Sequence, residues 1–520
     1  MQSPRSDTEV SRLSALAAAP HAADGDVRPW VMHLALGALG FLAFFAMTDF
    51  EMYLRPEFGA ALALLLMAFA GKRPWRELAA LPLVWALGAF ALFLIVHSAY
   101  VAWAWPQLAF PRQLSVAAKL LRLGVFCCVA GWWMSLRPRA IPYLLGLMVV
   151  GLVTAVLYYM PWDAWGGLWK GTVRPKFGIP ENLSGQLAAV GSWLALCLVV
   201  GIWRGHLRGW RRRVLLALGL AAYASSFCVL MFSQSRGAWL AFATATPIAI
   251  LGYWITSSRR NIRWASWKPI LMAALISVLA LIAARDMFAL RFSGVEHLLA
   301  GGEATPAAEP GALRVAPPAA TRDATRTTAD APSAPAAQAQ RRPASVPSEA
   351  PGPVDEAETD ADTVFPQLDT TVPSNRAVNI RMQLYELGVA KFKERPWLGW
   401  GLATIPPLIA DAHLDMGGEH HVHLHNAYLD ALVGMGLVGA GLLLLLFVLL
   451  ARELLLAWKA GIISTASFWA LAGCVGIVLV ANNFDSLLWR FEYARAPLEL
   501  LFGACVAYAL MRRRAAAAHA

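Results

Sequence analysis

Apolar runs close to the length of a bilayer-crossing helix recur twelve times along this chain, and clusters of arginine or lysine keep to every second gap between them. A helix that crosses the hydrocarbon core needs roughly 20 mostly apolar residues. The runs cover residues 30–48, 57–71, 78–100, 114–136, 140–160, 182–203, 214–232, 237–255, 268–285, 427–450, 463–482 and 495–511, the second and the last being the shortest. The first is longer than a signal-peptide core and lacks a small-residue cleavage site after it, so it reads as a retained helix. Composition agrees: 58% of the 520 residues are apolar and 15% charged, against about 45–50% and about 25% in soluble domains. The surplus apolar surface must face lipid, and one anchoring helix could not raise the average of so long a chain. A soluble enzyme, a disordered scaffold and a small disulfide-stapled module are all excluded. The expected fold is an all-α polytopic membrane protein with about twelve transmembrane helices.

Charge placement then sets the orientation, because short loops rich in Lys and Arg stay on the cytoplasmic side. The clusters are Lys72, Arg73 and Arg76 after run 2, Arg137 and Arg139 after run 4, and Arg204, Arg208 and Arg211 to Arg213 after run 6. They continue with Arg259, Arg260 and Arg263 after run 8, Arg452 and Lys459 after run 10, and Arg512 to Arg514 after run 12. All follow even-numbered runs, which supports the count and puts both termini in the cytoplasm. A net charge of +11 would suggest nucleic acid in a soluble domain, but charge distributed over membrane loops points to no such partner. The six cysteines, Cys127, Cys128, Cys197, Cys228, Cys474 and Cys505, all sit inside apolar runs with no CxxC pair. They read as small buried hydrophobes, with neither disulfides nor a thiolate metal site expected.

The expected organisation is a cytoplasmic tail over 1–29, helices 1–9 over 30–286, a large outer loop over 287–426, helices 10–12 over 427–511 and a cytoplasmic tail over 512–520. Within the loop, about 303–375 is rich in Ala, Pro, Thr and Glu. It has too few large apolar residues to offset the entropy of ordering, so it reads as a disordered insert without chemistry. After it, Ile380, Leu384, Leu387 and Phe392 recur at helical spacing until Pro396, Gly399 and Gly401. This marks an amphipathic helix over about 376–394, lying near the outer membrane surface.

Four places depart from a merely apolar pattern. Arg381 stands at the start of the amphipathic helix, and alone it reads as a headgroup-facing arginine. Arg236, in FSQSRGAWLAF, occupies a tight turn between runs 7 and 8, on the side positive charge avoids. Its neighbours Ser233, Ser235 and Gly237 are small, so a bulky group could reach the guanidinium; a snorkelling arginine is the rival reading. In EHHVHLHNAYLDALVGMG, His425 and Asn426 stand where run 10 begins. Asn is a favoured helix cap, and the helix N-terminus disfavours a charged imidazole, as a general base requires. Gly434, Gly436, Gly439 and Gly441 follow, suited to close helix packing. His421, His423 and His425 alternate, which could instead present three imidazoles to a metal, but Glu419 is the only evident nearby carboxylate and no metal is expected. Last, the loop WDAWGGLWKGTVRPKFGIPENLSG carries Lys170, Arg174 and Lys176 among tryptophans that suit anchoring, although a basic loop over lipid could also meet phosphates.

Together these residues resemble the O-antigen ligase family, which is related to the O-antigen polymerases. The family signature of His, then Asn, Ser or Gln, nine residues, Gly, two residues and Gly is met by His425, Asn426, Gly436 and Gly439. Its SRG-type arginine matches Arg236, and its second arginine, ahead of an ERPWLGWG-like segment, matches Arg381. GIPEN only loosely matches the family's asparagine-rich turn. The resemblance implies an inner-membrane, multi-pass enzyme with its site facing the periplasm, where the large loop between helices 9 and 10 also lies. It would be an inverting glycosyltransferase, independent of metal and cofactor, that moves O-antigen polysaccharide from undecaprenyl diphosphate to lipid A–core. His425 would then be the general base and Arg236 and Arg381 the diphosphate-binding pair, with Arg174, Lys176, Asn426 and His423 secondary. An O-antigen polymerase and a protein O-oligosaccharyltransferase are the alternatives with the same chemistry. A glycolipid transporter is the alternative from another class, though no internal repeat supports it.

Overall fold

The computed structural model describes residues 27–47, 57–105, 110–205, 207–257, 260–291, 374–414, 421–486, 488 and 491–519. The stretch 303–375 read as an insert lies outside them. All regular structure among the described residues is helical, and each of the twelve apolar runs is a helix. In chain order these are α1 (Pro29–Phe45), α2 (Glu57–Met67), α3 (Arg73–Ala79), α4 (Pro82–Ala104), α5 (Phe110–Leu136), α6 (Ala140–Tyr159), α7 (Trp165–Lys170) and α8 (Glu181–Arg204). They continue with α9 (Gly209–Phe232), α10 (Arg236–Thr256) and α11 (Arg260–Ala283), and α12 (Arg285–Arg291) follows α11 at a 65° bend. After the undescribed stretch come α13 (Ser374–Glu394), α14 (Ile405–Asp411), α15 (Ala427–Lys459), α16 (Thr465–Ala481) and α17 (Phe491–His519).

Seven of these, α4, α5, α6, α8, α9, α10 and α15, are long and apolar enough to cross a membrane, or eight if the bent α11–α12 pair is one span. The chain is thus a polytopic α-helical membrane protein. Three of the twelve fall short of the roughly 20 residues that a straight crossing takes: α1 and α16 have 17 and α2 has 11. The last run, expected to stop at 511 and give way to a tail, stays helical to His519.

The arginine clusters meet where their parity says they should. Arg514, at the end of α17, forks onto Glu77 of α3, with Nη2 at 2.5 Å and Nε at 3.2 Å. Trp132 Nε1 at 2.8 Å and Arg73 Nε at 3.1 Å complete the carboxylate's shell. Arg512 reaches Glu453 of α15 at 2.5 Å. Segments after runs 2, 10 and 12 therefore share one end of the bundle. Deeper in α17, Glu499 does not snorkel. It is fully buried and paired with Arg495 at 2.7 Å, as charges inside a membrane fold are expected to be.

The amphipathic helix is present as α13, and its apolar face is covered by protein rather than lipid. Ile380 and Leu384 are buried with Ile405 and Ile409 of α14, Leu424 and Val433. Periodicity alone could not tell these partners from acyl chains. The segment after α13 then enters a break in α15. Gly436 has φ 61° and ψ −169°. Around it Trp400 N donates to Val433 O at 2.8 Å and Gly401 N to Gly434 O at 2.9 Å. In return Leu437 N donates to Pro396 O at 2.7 Å and Val438 N to Trp397 O at 3.1 Å. A Cβ on Gly436 would lie 2.3 Å from the Trp397 carbonyl, so only glycine allows this crossing. The expected packing role of this glycine is corrected: it opens the helix to a second strand of chain.

Candidate active site

Loops after runs 5, 7, 9 and 11 converge at the other end of the bundle, and the turn Ser233–Arg236 is the hub. Ser235 caps α10, its side chain accepting from Ala238 N. Gln234 takes φ 51°, left-handed for a non-glycine residue, a conformation that costs roughly 1 kcal/mol and is held only where surroundings enforce it. What enforces it is the run-5 loop: Gln234 Nε2 donates to Gly171 O at 3.2 Å and Val173 O at 3.0 Å. The same loop places Arg174, whose Nε donates to Ser233 O at 2.7 Å and Nη2 to Asn182 Oδ1 at 2.6 Å. Arg291, the last residue of α12, donates from Nε to Gln234 Oε1 at 2.7 Å, with Nη2 bonded to the same oxygen.

Four arginines therefore crowd one place. Arg291 feels the charges of Arg174 and Arg236, while Arg381 is felt by Arg174 and by Arg236. Arg174 and Arg236 thus each lie within electrostatic reach of both Arg291 and Arg381. Burial holds the Arg174 guanidinium below its ordinary range; Glu181 and Asp485 counter this and Arg381 adds to it. Arg236 and Arg381 make no hydrogen bond to any described residue, so their donors are open to a ligand. Like charges at close range repel by several kcal/mol at low dielectric, and a bound anion is what would balance them.

His425, with φ 54°, is linked to this cluster through Asp485, which lies beside its imidazole and whose charge Arg174 feels. It precedes the cap Asn426, whose Oδ1 accepts from Tyr428 N and Leu429 N, each at 3.1 Å. The imidazole is thus set at the N-terminus of α15 as expected. Its Nδ1 lies 3.7 Å from Asp485 Oδ1, and its Nε2 meets His421 Nδ1 at 3.1 Å. Asp485 comes from the loop after α16, sixty residues on, where sequence reading saw no site. That loop is pinned by Ala427 N donating to Asn482 O at 2.9 Å and by the Ser486 hydroxyl donating to Asp430. Gly237 lets it approach: an added Cβ would sit 2.4 Å from Phe484 Cβ. Tyr385, one turn beyond Arg381, places its hydroxyl 3.3 Å from His425 O and 3.2 Å from Asn483 O. Burial pushes this phenol above its ordinary range, opposed by Arg381 and reinforced by Asp485 and Asp430.

The expected residues separate clearly. Arg236, Arg381, Arg174, His423 and His425 gather here and Asn426 serves as the cap, whereas Lys176 is exposed and makes no hydrogen bond to a described residue. Arg291, Gln234, Tyr385 and Asp485 were missed. The polar run NNFDS beside an apolar segment was the available signal for Asp485.

A metal donor set exists too. His423, His425 and Asp485 offer ligand atoms within 4.8 Å of one another, so the carboxylate that seemed absent is supplied by the tertiary fold. Two imidazoles and a carboxylate suit zinc in kind. Arg174 already answers the Asp485 charge, however, and four guanidinium groups nearby oppose a divalent cation.

Residues 221–444 match the family model described as O-antigen ligase. That match covers 224 of the 520 residues and supports the resemblance to the O-antigen ligase family. No curated protein matches the chain. The O-antigen ligase segment contains Arg236, Arg291, Arg381 and His421–His425, while Arg174 and Asp485 lie outside it, brought in by folding. The match and the apolar helices together support a membrane-bound transferase of lipopolysaccharide biosynthesis.

Proposed function

We propose that this protein is an inverting glycosyltransferase that moves O-antigen polysaccharide from undecaprenyl diphosphate to lipid A–core, at the periplasmic face of the inner membrane. The single observation that carries this reading is a cluster of four arginines linked through Asp485 to His425. In this reading all twelve apolar helices span the membrane, both termini are cytoplasmic, and the loop between helices 9 and 10 is periplasmic.

The acceptor hydroxyl takes the place of His421 at His425 Nε2 and loses its proton there as its oxygen attacks the anomeric carbon. Asp485, 3.7 Å from Nδ1, stabilises by its charge the imidazolium that forms. The bond from the anomeric carbon to the phosphate oxygen breaks on the opposite face, and the electron pair leaves with the diphosphate. One displacement inverts the anomer. Arg236 and Arg381 have unoccupied donor forks that match phosphate oxygens bidentately. They supply the charge that a metal would otherwise bring.

Reconstitution tests this: purified protein is mixed with lipid-diphosphate-linked glycan and lipid A–core, and product mass is followed. Glycan-capped core that disappears in His425→Ala is the expected result. Lengthened donor with unmodified core would make the protein a polymerase instead.

A further inference from the structure

Asp430 is a buried carboxylate that the transfer chemistry above leaves without a task. It sits in the first turn of α15, just past His425, and is 1% exposed. An acid is favoured near a helix N-terminus, but one so enclosed needs its oxygens hydrogen-bonded. They are, and each oxygen reaches a different loop. Oδ1 accepts from Leu424 N at 2.9 Å, and Oδ2 accepts from the Ser486 hydroxyl. Leu424 stands between His423 and His425, and Ser486 directly follows Asp485.

These contacts close a circuit. Ser486 N donates to Asp485 Oδ1 at 2.8 Å, the same oxygen that lies 3.7 Å from His425 Nδ1. From His425 the backbone leads one residue back to Leu424, whose N–H returns to Asp430. Each member of the His425–Asp485 pair is therefore held by a neighbour that Asp430 holds in turn. Leu424 and Ser486 are both buried, so water does not compete for these bonds. We propose that Asp430 and Ser486 are positioning residues: the Asp430 carboxylate ties the two loops together and so sets the spacing between the His425 imidazole and the Asp485 carboxylate. This rests on the reading of His425 as the base, and adds to it the bridge that keeps base and carboxylate in register.

The test uses the purified full chain in nanodiscs, with two readouts. Amide hydrogen exchange reads the bridge without any substrate. Asp430→Ala should speed exchange in both 421–426 and 482–486. Asp430→Asn should leave both near the wild-type rate, because its oxygen still accepts from Leu424 N and its nitrogen can donate to Ser486 Oγ. Transfer from lipid-diphosphate-linked glycan to lipid A–core reads the consequence. Asp430→Ala and Ser486→Ala should each lower kcat by about 10- to 100-fold, the scale of a displaced reacting group, with donor KM within about twofold. The double variant should be no slower than the slower single one, since both changes remove the same bridge. Asp430→Asn should keep kcat within about threefold of wild type. Unchanged exchange in both segments of Asp430→Ala overturns the bridge. Faster exchange with wild-type kcat, or a donor KM that rises as far as kcat falls, overturns the positioning role. So does an Asp430→Asn variant as slow as Asp430→Ala, which would put the effect in the charge. Should Asp430→Ala not fold, Ser486→Ala is read in its place in both assays. Faster exchange in the variants of a protein whose wild type moves no glycan leaves the bridge standing and fails the transferase reading.

Discussion

His425 and Gln234 both hold left-handed backbone, Gln234 bonded to Arg291 and His425 beside Asp485, and strain of this kind concentrates at functional sites. Replacing His425 with Ala removes the base from a loop–helix junction without touching the core, so transfer should fall at least about 1,000-fold while the melting temperature holds. Near-normal turnover by that variant would sink the assignment. Asp485→Asn keeps the shape but not the charge behind Nδ1, and kcat should fall roughly 10–100-fold. Unaltered kcat would reduce Asp485 to a loop-packing role. Arg236→Lys retains one charge but loses the fork, and should be impaired by about tenfold; wild-type rates would mean that a point charge suffices.

At the scale of elements, the two signature segments turn out to be one structure. Pro396–Gly401 bonds to both sides of the break at Gly436, and this fixes α13, with Arg381 and Tyr385, against the N-terminus of α15 that carries His425. Gly436→Ala would force a Cβ into the Trp397 carbonyl. It should lower thermal stability and cut kcat and donor affinity together, because both sides of the site shift. A stable variant with normal kinetics would show that the crossing does not register the site. Spacing showed where the glycines were, but a helix-packing glycine and a helix-breaking glycine look alike until the partner strand is seen.

For the whole molecule, the end opposite the site is closed by Glu77. Burial alone would raise its carboxyl, but Arg514, Trp132 and Arg73 outweigh burial and hold it below the ordinary 4.5. A carboxyl depressed on folding stabilises the fold above its unfolded pKa, and that contribution is lost as pH falls through the lower folded value. Melting curves in detergent should therefore shift downward as pH drops below about 4.5, and Glu77→Gln should flatten that part of the profile. An identical acid profile in the variant would remove Glu77 from the account. Transfer should also persist in a chelator; loss restored by added zinc would show that His423, His425 and Asp485 hold an ion.

Apolar periodicity and the alternation of arginine clusters are local properties, so the helices, their parity and the end of the bundle that gathers the site were legible from the chain alone. Arg236 and His425 stood out as candidates because each breaks a local expectation, charge on the avoided side or a polar pair at a helix start, whereas Arg381 alone read as a headgroup-facing arginine and became a candidate only through the family resemblance. Arg291 and Asp485 were not singled out, since nothing within a few residues of either says what it meets. Only the 65° bend after α11, the strained Gln234 turn and the close approach allowed by Gly237 bring Arg291 to Gln234 and Asp485 to His425. Those are contacts between segments tens to hundreds of residues apart, and a periodicity of 3.6 carries no information about them.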